Sequence, residues 1–263
     1  MLSNLASKDA AIHVAGSEAV KVTGDGSKDC VQTGATALRI GVVIPCRGDQ
    51  SILLGCLDSL EEFRRSGDWI VVVDADANPT VASITQSRGM VCLHSPDSRR
   101  GAVIGRGVVW ILTQQPLDLL LICHADMKLL SGTRAKLVAA LGEHAKSRWG
   151  WLGHHIDDHR FRFRLLEWGN HFRGAILNIP YGDQVIFVGV DLLARAGGWP
   201  FQPKMEDLEL SLRLRRLSPA TFINTPAITG VRHWSHGVCR TTIHNWMLMA
   251  KYIVRDNRDQ EPL

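Results

Sequence analysis

Short runs of uninterrupted apolar residues alternate along the chain with stretches in which apolar residues recur every three or four positions. The first run, LRIGVVIP (38–45), is β-branched and halted by Pro45, which predicts a buried strand. In QSILLGCLDSLEEFRR (50–65), Leu53, Cys56, Leu57, Leu60 and Phe63 fall on one helical face, with Asp49 placed to cap it. The rhythm then repeats. WIVVVDAD (69–76) predicts a strand, TVASITQSR (80–88) a helix and MVCLH (90–94) a strand. RRGAVIGRGVVWILTQQ (99–115) predicts a longer helix weakened by its glycines. DLLLICHAD (118–126) predicts a fourth strand, and SGTRAKLVAALGEHAK (131–146) a helix opened by Ser131. Strands that are apolar throughout, alternating with helices, predict an α/β fold: a Rossmann-like, mostly parallel sheet flanked by helices.

From Trp149 the rhythm changes. WGWLGHHIDDHRFRF (149–163) reads as strand-like residues around a solvated, charged hairpin, followed by a helix at LLEWGNHFRGAI (165–176). IPYGDQVIFVG (179–189) predicts a proline turn and a strand, and VDLLARAG (190–197) a short helix. MEDLELSLRLRRL (205–217) predicts a helix with Leu210, Leu214 and Leu217 on one side, and TTIHNWMLMAKYIVRD (241–256) an amphipathic helix. No composition break separates two domains. The expectation is one domain over residues 38–263, its second half built onto the edge of the same sheet. Residues 1–37, rich in Ala, Gly, Ser, Lys and Asp without a sustained period, are expected to form a flexible leader.

Composition narrows the function. At 263 residues, 45% hydrophobic and 21% charged, the chain is of ordinary globular make-up. A net charge of +4 and pI near 8.8 suit an anionic small molecule or an acidic membrane surface, and are too weak to argue for nucleic acid. No RNA-binding aromatic motif or zinc-finger spacing occurs. The six cysteines form no C-x-x-C pair and sit in or near apolar runs, as reduced thiols do, so a cytoplasmic compartment is expected. No apolar run reaches membrane-spanning length, and no secretory signal opens the chain. The G-x-G-x-x-G fingerprint is missing, which argues against a dinucleotide cofactor.

The chemistry gathers at predicted strand ends. Ligands of open α/β sheets bind beyond the carboxyl ends of strands, and IPCRGD, DADAN and HAD map there. Asp74, Asp76 and Asp126 therefore share one rim, where a hard cation bridging a diphosphate would relieve their repulsion. Helix capping is the simpler role open to Asp76; for Asp126 it is disfavoured because Ser131 is the more natural cap. Arg99 and Arg100 follow the third strand, where one of them can meet phosphate and the other forms a solvated turn. Glu206 and Asp207 sit side by side at a helix start, suited either to base catalysis or to complementing the helix dipole. HHIDDH (154–159) looks metal-rich but matches no zinc spacing.

In order, VVIP, VVVDAD, RRGAVIGRG, LLLICHAD, IPYGDQVIFV, GGWP, MEDLELSLRLRR and VRHW resemble the family-2 glycosyltransferases of the GT-A fold. The likeness is to a bacterial subgroup with H-A-D in place of D-x-D and a G-I-P-Y-G-D-Q segment, and it covers roughly residues 39–255. The likeness implies transfer of a sugar from a nucleotide-diphosphate donor to an unknown acceptor, with Mg²⁺ or Mn²⁺, and inversion at the anomeric carbon is expected. On this likeness Pro45, Asp74 and Asp76 flank the nucleotide, and Asp126 binds the metal with His124 beside it. Relatives close a basic segment over the diphosphate here, where Arg232 or His236 contacts the leaving phosphate; apart from the likeness, Arg100 is placed for phosphate and Asp183 for a sugar hydroxyl, and Gln184 is open equally to that role or to a structural turn. On the likeness, Asp207 serves as base, with Glu206 shaping the acceptor site. The C-terminal helix offers a face for peripheral membrane contact. Three other readings stay open: a nucleotidyltransferase, against which the single glycine of IPCRGDQ counts; a non-catalytic scaffold on a degenerate transferase fold; and a metallohydrolase using HHIDDH.

Overall fold

The structure, a computed structural model, describes residues 38–48, 50–202, 204–231 and 246–252. The expected Asp49 cap, Arg232 and His236 lie outside the described residues, as does the leader. The chain runs β1 (Ile40–Cys46), α1 (Gln50–Ser59), α2 (Glu61–Arg65), β2 (Trp69–Asp74), α3 (Pro79–Gln86), β3 (Val91–His94), α4 (Arg100–Gln114) and β4 (Leu119–Ile122). It continues through β5 (Met127–Leu129), α5 (Thr133–Leu141), β6 (Trp149–Ile156), α6 (Phe161–Leu177), β7 (Ile186–Gly189), α7 (Val190–Arg195), α8 (Glu206–Arg215) and β8 (Thr221–Thr229).

One eight-stranded sheet, in the order β3-β2-β1-β4-β7-β6-β8-β5, carries the core. Strands β1 to β4 pair in parallel, as their continuous apolar runs predict. Beyond β4 the sheet is mixed. β7 is antiparallel to both β4 and β6, β8 is parallel to β6, and β5 is antiparallel to β8. Successive side chains of β1 feed opposite faces. Ile40, Val42 and Ile44 pack with Leu53, Leu57, Phe63 and Leu137 of the helices on one side. Val43 packs on the other with Val103, Ile104, Leu193 and Leu210. The chain moves outward from β1 to β3 under α1–α3, then returns through α4 on the opposite face to place β4 beside β1. That reversal opens a crevice at the carboxyl ends of β1 and β4, the usual ligand position of such sheets.

Two strands are absent from the sequence reading. In β8, Asn224 and Pro226 break the β pattern, and the ladder to β6 jumps from Leu152↔Ile223 to Gly153↔Pro226. The bulge at Asn224–Thr225 is how this strand accommodates its proline. β5 is three residues long and alternates buried, exposed, buried. The expected hairpin at 154–159 is instead a strand-turn-helix: β6 ends at Ile156, and Asp158 accepts from the backbone N–H of Arg160 as α6 begins. Nor does Ser131 cap α5. Gly132 holds that position at φ +82°, and the Glu62 carboxylate of α2 accepts from the N–H groups of Gly132 and Ala135.

The glycines of α4 are explained by close approach. A Cβ on Gly101 would lie 2.1 Å from the backbone oxygen of Gln202, and one on Gly105 would lie 2.3 Å from the Phe201 ring. Gly107 sits directly on Val43 and Val73 of the sheet. Helix propensity is given up so that the first turn of α4 can touch the loop leading into α8. On the solvent side, Phe161, Leu165, Trp168, Phe172 and Ile176 line an exposed row along α6, a larger open apolar surface than Trp246 and Met247 in the described part of the C-terminal helix.

Candidate active site

Two adjoining clefts open at the carboxyl ends of β1 and β4, one of about 430 Å³ and the other about 190 Å³. Pro45, Arg47, Arg99, Arg100, His124 and Lys204 line the larger, with no carboxylate among its wall residues. Arg100, His124, Asp126, His154, Asp183 and Asp207 line the smaller. Arg100 and His124 belong to both and form the divide between a cationic and an acidic compartment.

The loop after β2 is built by Asp74. Its buried carboxylate accepts from the N–H groups of Asp76 and Asn78, and its carbonyl accepts from Ser95. Asn78, not Asp76, caps α3, accepting from the N–H of Thr80, with Pro79 in the first turn. Asp76 is thereby freed to bind the N–H of Gly48 at 2.8 Å, tying the β2 loop to the β1 loop. Of the arginine pair, Arg99 folds back onto Asp97 in a bidentate contact, while Arg100 turns inward to Glu206 and Asp207.

The IPYGDQ segment approaches from β7. Asn178, at φ +52°, ends α6 in the left-handed conformation that asparagine tolerates, and its side chain accepts from the N–H of Ala220. Gly182 donates its N–H to Asp207 Oδ2 at 2.9 Å. A Cβ there would lie 2.6 Å from Nε2 of His124, so only glycine lets this turn close on the imidazole. Val185, buried and β-branched, takes φ +48°, a strained conformation held between the turn and β6. Asp183 lines the acidic cleft, and its Oδ1 is buried without a hydrogen-bond partner among the described residues.

Glu206 and Asp207 diverge despite being neighbours. Asp207 faces the cleft, its Oδ2 held by Gly182 and by Arg100 at 3.3 Å and its Oδ1 by the N–H of Leu208. Glu206 is 1% exposed, pairs with Arg100 and is not among the residues that line the cleft. Burial pushes the Glu206 carboxyl above its ordinary value, partly offset by Arg100. Burial and the Arg100 charge push the His124 imidazole below its ordinary value, which keeps it neutral. Gln184 is buried in a network with Arg173 and does not reach the cleft.

The HHIDDH cluster is divided by the strand's alternation and by its turn. His155 meets Arg164 and Glu167, Asp158 pairs with Arg160, and His159 is exposed. Only His154 reaches the acidic cleft. Its signal in the sequence was the pleat: it falls in the strand register that the hairpin reading obscured. Among the described residues, no three His, Cys, Asp or Glu side chains converge as a ready-made cation site.

No protein-family model matches the chain, and no curated protein matches it. Solved structures do. Residues 1–349 of S. aureus TarS superpose with a TM-score of 0.57 at 14% identity, covering 73% of this chain and 60% of that one. The mannosyltransferase PcManGT from Pyrobaculum calidifontis, in complex with GDP-Man and Mn²⁺, gives 0.57 at 18% identity over 82% of this chain and 62% of that one. Glucosyl-3-phosphoglycerate synthase from Mycobacterium tuberculosis, in complex with Mn²⁺, UDP and phosphoglyceric acid, gives 0.51 at 14% identity over 72% and 69%. The chain thus spans less than two thirds of the first two. The fold is that of the GT-A glycosyltransferases.

Proposed function

We propose that this protein is a nucleotide-sugar-dependent glycosyltransferase that acts with inversion at the anomeric carbon. The observation that carries the reading is the pairing of clefts: a cationic compartment at the sheet's reversal point, joined through Arg100 and His124 to an acidic one. The cationic side suits the nucleotide and its diphosphate, with Pro45 and the Asp76–Gly48 link bordering the base and ribose. The acidic side suits the reacting sugar and acceptor. The similar proteins that hold GDP-Man or UDP-GlcNAc support the same reading.

A divalent cation fits the residues present. The Asp126 carboxylate is exposed in the turn between β4 and β5, and the neutral imidazole of His124 stands two residues before it. The Asp126 oxygens suit Mg²⁺ or Mn²⁺ and the His124 imidazole suits Mn²⁺, and such sites take only one or two protein ligands because the diphosphate supplies others. When bound, the metal would offset the charge that builds on the leaving diphosphate.

In the transfer, the acceptor oxygen attacks the anomeric carbon as the bond from that carbon to the β-phosphate oxygen breaks, releasing the nucleoside diphosphate. Asp207 takes the acceptor's hydroxyl proton. Its carboxylate is fixed at the first turn of α8 by Gly182 and Arg100, so it waits in place rather than reorganising during the step. Arg100, held by the buried Glu206, faces both the proton acceptor and the diphosphate side.

Calorimetric titration with UDP, GDP, CDP and dTDP, with and without Mn²⁺, tests the proposal on the wild type and on Asp126→Asn. The expected result is Mn²⁺-dependent binding of one nucleotide, lost in the variant. Absence of binding by any of the four would favour the scaffold reading instead.

A further inference from the structure

His154 stands in the acidic cleft with its protonation state decided by its neighbours. Its Nδ1 lies 3.2 Å from Nδ2 of Asn170, which is 5% exposed. The Asn170 amide is oriented by Arg173, whose Nη1 donates to Oδ1 at 3.0 Å. A guanidinium only donates, so the amide oxygen must face Arg173 and the amide nitrogen must face His154. An amide nitrogen also only donates. Nδ1 of His154 therefore accepts, and the ring proton sits on Nε2.

This arrangement is firmly held. Arg173 is 3% exposed, donates to the Ile179 carbonyl at 3.0 Å and to Gln184 Oε1 at 3.1 Å, and lies 3.6 Å over the Tyr181 ring. The buried network fixes the imidazole, yet the N–H that results has no partner: Nε2 of His154 is buried and unpaired among the described residues. Asp183 Oδ1, lining the same cleft, is a buried acceptor equally without a partner. Unpaired buried donors and acceptors carry a free-energy penalty, and a matched pair of them in one cleft marks a place for a ligand.

The chemistry of that ligand follows from the cleft. Asp126, Asp183 and Asp207 outnumber Arg100, so an anionic group is repelled. A hydroxyl both accepts and donates, so the hydroxyls of one ligand suit both orphaned atoms. We propose that His154 and Asp183 form a hydroxyl-reading pair for an uncharged, polyhydroxylated ligand such as a sugar ring, with His154 Nε2–H donating and Asp183 Oδ1 accepting. The inference deepens the transferase reading and relies on it only for which molecule brings the hydroxyls.

Saturation-transfer NMR on the full chain tests it, using a panel of methyl hexosides and the 6-phosphates of the same hexoses as probes. The expected result is that one or more methyl hexosides bind and the sugar phosphates bind at least tenfold more weakly. His154→Ala and Asp183→Ala should each weaken hexoside binding about tenfold, while His154→Gln, which keeps an N–H near the Nε2 position, should recover part of it. Thermal unfolding of each variant identifies any that fail to fold, and His154→Gln alone then carries the comparison. Displacement of the hexoside by a nucleotide sugar but not by its nucleoside diphosphate would assign the pair to the donor sugar; persistence in the presence of both would assign it to the acceptor. Equal binding of hexosides and sugar phosphates, unchanged binding in the His154 variants, or no hexoside bound by the wild type would each overturn the inference. Because hexoside binding is read without nucleotide, its failure is separate from the failure of any nucleotide to bind in calorimetry.

Discussion

Arg100, at the first position of α4, and Glu206, at the first position of α8, form an ion pair across 106 residues of sequence in which one partner is nearly half exposed and the other is 1% exposed. The pair joins the two helix starts that frame the cleft. It is also asymmetric. Arg100 retains access to solvent without Glu206, but Glu206 without Arg100 is a buried carboxylate with no counter-charge.

Arg100→Ala should therefore cost stability as well as function. Stranding a fully buried charge costs several kcal/mol; with Arg100 partly solvated, about 2 kcal/mol near neutral pH is expected. The pH dependence has a definite sign. A carboxyl raised above its unfolded value holds its proton better in the folded protein, so its favourable contribution is present at low pH and is lost as pH rises through the folded value. Removing Arg100 raises that value further. Urea unfolding should show a larger deficit for Arg100→Ala near neutrality than in the ordinary carboxylate range, and adding Glu206→Gln should restore most of it. A deficit independent of pH would refute the assignment.

Gly182→Ala should separate site geometry from stability. The new Cβ would press on His124 Nε2 at 2.6 Å and approach Asp207 Oδ2 at 3.4 Å, while the Gly182 N–H that holds Asp207 is retained. The clash is with the His124 side chain, and the Asp207 approach is an ordinary contact. Transfer activity should fall by more than tenfold with little change in the unfolding midpoint. Gly101→Ala should do the reverse of sparing the fold. Its Cβ meets the backbone oxygen of Gln202 at 2.1 Å, which cannot rotate away, so a loss of about 1–3 kcal/mol is expected from thermal or urea unfolding.

The thiols offer a simple check on the core. Cys46, Cys56, Cys92 and Cys123 are free, and burial pushes Cys46 up to about 12 and Cys92 up to about 11. The thiolate is the reactive form, so these groups should resist alkylation in the native protein at neutral pH and react on denaturation. Peptide mapping after iodoacetamide treatment measures this directly. Modification of Cys46 in the folded chain would show that the β1 end opens.

The first half of the sheet was readable because each strand is buried on both faces and each crossover helix carries its own apolar stripe. Those two patterns survive any detail of packing. The second half was harder for local reasons. β8 hides behind Asn224 and Pro226, which become strand residues only through the bulge at Asn224–Thr225, opposite Leu152 and Gly153. Asp207 was legible as a helix-start carboxylate, since position along an element is a sequence property, whereas the strand expected to run to Asp126 stops at Ile122 and leaves Asp126 in a turn before β5. Which way Glu206 faces was not legible, because it depends on Arg100 arriving from another helix. His154 was obscured by the hairpin reading, and its contact with Asn170, sixteen residues on in α6, depends on how that helix packs on β6.

His124 gives the last prediction. Burial and the Arg100 charge depress its imidazole below the ordinary value, so the folded protein binds that proton less readily than the unfolded chain. Stability from this group is fully present above the ordinary imidazole value, about 6.5, and is lost as pH falls from there through the folded value. His124→Gln removes the titration while keeping a polar side chain. Between about pH 7 and pH 5, the wild type should lose more unfolding free energy than the variant, the other histidines cancelling in the comparison. The same protonation would place a positive charge beside Arg100, so Mn²⁺-dependent nucleotide binding should weaken over that interval in the wild type. Parallel unfolding curves for the two proteins across the interval would show that His124 is not held neutral by the fold.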